Sequence, residues 1–167
     1  MAETIDNFSS FYNPKKIKTS FKILNAIQSI QQIIDKDLLS YQIDLIIKGD
    51  EELSFYGVQN DISQIILALI SNAKHIFIER QIKKPKIIIN YYKKSSDVII
   101  EVIDNAGGVK MKPINDIFDP FVSGRVNSQS GIGLYMVKNI LDTYSSTIGV
   151  KNENGGAKFT VTLKDIR

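Results

Sequence analysis

The pattern of apolar residues predicts an α+β two-layer sandwich: a mixed, mostly antiparallel sheet of about five strands with three helices on one face. Two observations carry that expectation. Three segments repeat apolar residues every three or four positions, the period of a helix buried on one side. Five others alternate or run apolar over six to eight residues, and two pairs of these are separated only by short polar turns. Short turns make hairpins, and hairpins make antiparallel neighbours, which favours the sandwich over a doubly wound fold.

Taken in order, Ile5, Phe8, Phe11 and Tyr12 fall three or four apart before Asn13-Pro14 breaks the pattern, which reads as the end of a helix that packs elsewhere. From Ser20, a candidate N-cap, a first full helix is marked by Ile23, Leu24, Ala26, Ile27, Ile30, Ile33 and Ile34. Tyr41–Lys48 reads as a strand closed by a Gly49-Asp50 turn. Residues 58–80 form a second helix with a stripe of Ile62, Ile65, Ile66, Leu69, Ala73 and Phe77. Lys86–Tyr92 and Asp97–Asp104 make a hairpin across Lys93–Ser96. Gly131–Tyr144 is a third amphipathic helix, and 146–151 with 157–163 form a last hairpin around Asn154-Gly155-Gly156.

Composition excludes several kinds of chemistry. The 167 residues carry 21 Lys and Arg against 18 acids, a net charge of +3, too balanced for a nucleic-acid footprint. There is no cysteine, so disulfides, thiolate nucleophiles and Cys-ligated metals are ruled out, and the one histidine, His75, cannot build a multi-His site. No continuous apolar run reaches the roughly 18–20 residues of a membrane span, and no signal peptide opens the chain. A soluble cytoplasmic domain without direct membrane contact is the expectation.

The stretch from Asp104 to Ser130 has little regular pattern, yet residues 107–133 hold five of the chain's ten glycines. Long irregular segments in compact domains are commonly lids or binding loops. Asp104-Asn105-Ala106-Gly107-Gly108 follows an apolar strand, so Asp104 is either a capped turn or a desolvated carboxylate that needs a donor such as the exocyclic amine of a base. Gly131-Ile132-Gly133-Leu134 opens a helix, where unsatisfied amides and the dipole favour phosphate, although it does not form a P-loop. On the second helix Ala68, Asn72 and Ile76 share a face beside His75 and Glu79. Asn72 offers a hard amide oxygen suited to Mg²⁺, or is simply a polar residue of the helix.

Asn72-Ala73-Lys74, Asp104-x-x-x-Gly108, Ile117-Phe118-Asp119-Pro120-Phe121 and Gly131-Ile132-Gly133-Leu134 occur together, in order. The set resembles the N, G1, F and G2 boxes of the GHKL ATP-binding superfamily, and within it the catalytic domain of two-component sensor histidine kinases. The resemblance runs from about residue 18 to the C-terminus. It implies that residues 1–17 end a dimerisation helix and its linker, that 18–167 form the ATP-binding catalytic domain, and that 122–130 form a lid.

The resemblance also implies roles at the site. Asn72 would ligate Mg²⁺, Asp104 would accept from the adenine amino group, and Gly108, Val109 and Ile76 would pack about the ring. Ser130, Gly131, Ile132, Gly133 and Leu134 would close on the phosphates, with Arg125 as the lid's positive charge or a surface residue. Thr160 would support adenine through water. Ile117 belongs to the nucleotide-binding set through its box, in which Phe118 and Phe121 are packing anchors. His75 would touch phosphate or sit at the solvent edge.

The family's activity implies donation of the ATP γ-phosphoryl to a histidine on a dimerisation domain, and onward signalling to a response-regulator receiver domain. His75 lies in the N box and cannot be that acceptor, so no catalytic residue is assigned. Some positions depart from the family pattern. Ala68 stands where ATP-hydrolysing relatives place a general-base Glu, Ala106 replaces the first glycine of DxGxG, and Gln129 the first of GxGxG. Those departures define the rival expectation, a nucleotide-sensing or docking module without catalysis.

Overall fold

A computed structural model describes residues 16–120 and 130–165, with residues 130–132 described by backbone alone. The apolar stripe of residues 5–12, most of the lid with Arg125 and Gln129, and Phe121 fall outside the described residues. The elements are β1 (Thr19–Lys22), α1 (Ile23–Ser40), β2 (Asp44–Gly49), β3 (Ser54–Gly57), α2 (Gln59–Glu79), β4 (Lys86–Lys94), β5 (Asp97–Asp104), a 3-10 helix (Ile114–Phe118), α3 (Ser130–Thr143), β6 (Thr147–Glu153) and β7 (Gly156–Leu163).

The main sheet has five strands in the order β2-β4-β5-β7-β6. Only β2 and β4 are parallel, joined by a crossover that carries α2; the other three pairs are antiparallel. The mixed sheet expected from the sequence is therefore the one observed. Strand alternation puts Ile87, Ile89, Tyr91, Ile100, Val102, Phe159 and Val161 on one face, all buried. Against them lie Ile62, Ile65, Ile66, Leu69 and Phe77 of α2, with Ile27 and Ile30 of α1 and Leu134, Val137 and Leu141 of α3. By length and composition α2 could cross a membrane, but its stripe is the centre of this core.

Two boundaries, a pair of short strands and one residue of α1 differ from expectation. Ser20 is not an N-cap: it lies in β1, and α1 begins after Lys22 without a side-chain cap. β1 pairs with β3 in a separate two-stranded sheet, where Phe21 and Phe55 meet edge to face at 6.2 Å. Strands of four residues carry too little alternation to be read from sequence. β2 starts three residues later than expected because Tyr41 caps α1 and Gln42 takes a left-handed conformation (φ 56), a task usually given to glycine. Ile33, placed on the buried stripe of α1, is 74% exposed. At 100° per residue it stands to one side of the line through Ile23, Ile27, Ile30 and Ile34.

Candidate functional site

Asp104 ends β5 on the core side of the sheet and is 7% exposed. Its Oδ1 accepts from the backbone N–H groups of Ala106 (2.9 Å) and Ala157 (3.3 Å), while Oδ2 has no donor among the described residues. Burial pushes the carboxyl above its ordinary pKa, against the opposing pull of those two amides and of Arg80. The close approach of β7 depends on Gly156, where a Cβ would lie 1.6 Å from the Asp104 carbonyl oxygen. A half-satisfied carboxylate thus sits at a tightly packed strand end.

The loop after Asp104 is braced from three sides. Arg80, the C-cap of α2, donates from one nitrogen, Nη1, to the carbonyls of Ala106 (2.7 Å) and Gly108 (2.8 Å). Asn152 on β6 pairs both ways with Val109, accepting from its N–H at 2.7 Å and donating to its carbonyl at 2.9 Å. The Asn105 side chain accepts from the Lys86 N–H at 2.8 Å and donates to the Lys84 carbonyl at 3.1 Å. Gly107 and Gly108 take positive φ (+94 and +82), and Ala106 does not. Alanine at 106 is therefore unstrained, whereas a Cβ at 108 would also collide with Asn152, 2.8 Å away.

Along α2, Arg80, Ile76 and Asn72 are spaced by single turns, so the brace on the loop also aligns Ile76 and Asn72 with it. Asn72 is 8% exposed, and its amide has no hydrogen-bond partner among the described residues. Its environment fits one hard ligand to a Mg²⁺ completed by phosphate and water. No group of three His, Asp or Glu side chains among the described residues forms an all-protein metal cage. His75 is exposed and lines a cleft of about 220 Å³ between α1 and α2, with Ile34, Asp37, Leu38 and Ile70. That places it at the solvent edge.

α3 packs against α2. Their opposite ends are pinned where the Tyr144 hydroxyl donates to Asp61 Oδ2 at 2.8 Å. Gly133 lies 144 − 133 = 11 residues from the pin and Asn72 lies 72 − 61 = 11 residues from it. A rise of 1.5 Å per residue puts each about 16 Å from the pin along its own helix. Gly133 is open, with nothing within 4 Å of an added Cβ. Gly131 and Gly133 lie in the first turn of α3, as expected; Leu134 is buried in the core and Ser130 begins the helix.

Two more expected positions have structural roles. Phe118 packs edge-on to Phe159 at 6.2 Å, and Ile117 rests against the core. Thr160 is separated from Asp104: it pairs with Glu101, so alternation turns it to the opposite face of the sheet. The β7 residue at Asp104 is Ala157. Sequence reasoning missed Arg80 and Asn152. Arg80 was findable, one turn beyond Ile76 on the Asn72 face; Asn152 has no local signal.

A family profile, "Histidine kinase-, DNA gyrase B-, and HSP90-like ATPase", matches residues 57–167. The autoinducer 2 sensor kinase/phosphatase LuxQ of Vibrio parahaemolyticus serotype O3:K6 is 24% identical over 155 residues, 87% of this chain and 18% of LuxQ. The sensor histidine kinase ZraS of Salmonella typhi is 31% identical over 134 residues, 78% of this chain and 28% of ZraS. The catalytic domain of the histidine kinase ThkA superposes with a TM-score of 0.78 at 21% identity, covering 89% of this chain and 96% of that one. ThkA is also known in complex with the response regulator protein TrrA, where the TM-score is 0.73 at 22% identity, over 98% of this chain and 47% of that one. The chain thus spans less than a third of the length of these two curated relatives.

The chain belongs to the histidine kinase-, DNA gyrase B- and HSP90-like ATPase family. Its fold is that of histidine kinase catalytic domains. The resemblance drawn from the four boxes is borne out.

Proposed function

We propose that this chain is the ATP-binding catalytic domain of a two-component sensor histidine kinase. It holds Mg-ATP and donates the γ-phosphoryl to a histidine on a dimerisation domain. The observation that carries the reading is Asp104, whose Oδ1 is occupied by two amides while Oδ2 has no described protein donor. Adenine presents an amino group to such an acceptor. Guanine presents a carbonyl at the same ring position, which the carboxylate repels, so the site selects ATP over GTP.

The braced Gly107-Gly108 backbone and Ile76 form the surroundings of the ring. Asn72 would hold Mg²⁺, whose charge would neutralise phosphate oxygens. The first-turn amides of α3 offer donors to those oxygens. Phosphoryl transfer depends chiefly on this positioning and charge stabilisation. Ala68, in place of a general-base Glu, favours transfer over hydrolysis. A response-regulator receiver domain is the onward partner; the ThkA–TrrA complex supports that part of the reading.

Calorimetric titration tests the proposal. ATP binds the wild type more tightly with Mg²⁺ than without. Asp104→Asn weakens binding about 10- to 100-fold, the value of one charged hydrogen bond. Asn72→Ala abolishes the Mg²⁺ dependence. A wild type that binds neither ATP nor ADP at millimolar concentration overturns the reading.

A further inference from the structure

We propose that Asp61 and Tyr144 are positioning residues for the phosphate half of the nucleotide site, and that Lys16 couples them to the chain that precedes β1. The inference rests on the nucleotide-binding reading above. Asp61 stands in the first turn of α2, where an acidic residue usually meets solvent and the helix dipole. Here it is 5% exposed and both its oxygens are used. Lys16 Nζ donates to Oδ1 at 2.6 Å and the Tyr144 hydroxyl donates to Oδ2 at 2.8 Å. The same hydroxyl accepts from the Val58 N–H at 3.0 Å.

The Tyr144 ring packs on Phe55 with centroids 5.9 Å apart. It also lies against Gly57, where a Cβ would stand 3.0 Å from the ring. One side chain therefore joins the start of α2, the end of α3 and the small β1–β3 sheet. None of the mechanism uses this cluster directly, yet it sets how far α3 can slide along α2. A slip of one residue moves the α3 glycines about 1.5 Å relative to Asn72. That exceeds the tolerance of a hydrogen bond to phosphate.

Lys16 makes the pin responsive. It precedes β1 by three positions and supplies the cation facing the buried Asp61 carboxylate. Withdrawing the cation leaves a buried charge short of a partner, so the carboxylate reorients or takes in water and its hold on Tyr144 loosens. Displacement of the incoming chain is thereby converted into a shift of α3 against α2.

The test compares Mg-ATP with adenosine, which reads the Asp104 end alone, by calorimetry on the full chain. The variants are Tyr144→Phe, which keeps the ring, and Lys16→Met, which keeps the aliphatic stem at a partly exposed position and preserves folding if Tyr144→Phe does not. Each single variant weakens Mg-ATP binding roughly 5- to 10-fold, the value of one hydrogen bond, with adenosine affinity unchanged. The double variant loses no more than the worse single one, because both act through Asp61. Equal loss of Mg-ATP and adenosine with a lowered melting temperature means a purely structural role and overturns the proposal. So does wild-type Mg-ATP affinity in both variants. A wild type that binds neither ligand overturns the nucleotide reading, and this inference with it.

Discussion

At Asp104, burial and hydrogen bonding act in opposite directions, and burial wins: the folded carboxyl holds its proton more tightly than the unfolded one. The sign for stability follows. Ionised Asp104 costs the free domain stability above the ordinary carboxylate range, and the cost vanishes as the pH falls through the raised folded value. Binding has the opposite demand, since only the ionised Oδ2 accepts fully from adenine. Asp104→Asn keeps an oxygen for the Ala106 and Ala157 amides, so at neutral pH the free variant melts no lower than the wild type while ATP binding weakens about 10- to 100-fold. In the wild type, ATP affinity falls on acidification with a midpoint above the ordinary aspartate value of 3.8. Melting curves and titrations between pH 4 and 8 check both. Tyr144 is a simpler case: burial first, then Asp61, raise its pKa, so the hydroxyl stays protonated and remains a donor.

Among the elements, α2 does the most for the site. Its stripe builds the core, its Asn72–Ile76 face belongs to the proposed nucleotide site, and Arg80 at its end ties down the Asp104 loop. Arg80→Met keeps much of the aliphatic stem but leaves two loop carbonyls without this donor, costing about 1–3 kcal/mol of local stability. Amide hydrogen exchange at residues 105–109 rises in this variant while the α2 core stays protected. The positions of the helices were largely legible because 3.6-residue periodicity is a local property. α1 shows the limit: seven apolar residues suggested one face, but Ile33 lies beside the contact and is exposed. Which flank of a broad apolar stripe is buried depends on the neighbour it meets, here α2, not on α1 itself.

At the scale of the molecule, the proposed site draws on the β5 loop, the C-terminal half of α2, the start of α3 and the β6–β7 hairpin, segments that meet only in the folded chain. A ligand held by all of them binds the folded state and stabilises it. Mg-ATP at 100 times its dissociation constant adds about 2.7 kcal/mol, which raises the melting temperature of a domain this size by roughly 5–10 °C. Differential scanning calorimetry reads the shift directly, and Asp104→Asn at the same nucleotide concentration shows about half of it or less.

The backbone's local grammar was enough to read the three helices, the five main strands, the Asp104 turn and the glycine-opened α3. Each depends on residues within a turn or a pleat of one another. Arrangement between distant segments set everything else. Register turned Thr160 to the far face and brought Ala157 to Asp104. Packing brought Asn152 to Val109 across 43 residues and Tyr144 to Asp61 across 83. No periodicity encodes such pairings, because their energy is realised only after the sheet and helices have fixed which surfaces face each other.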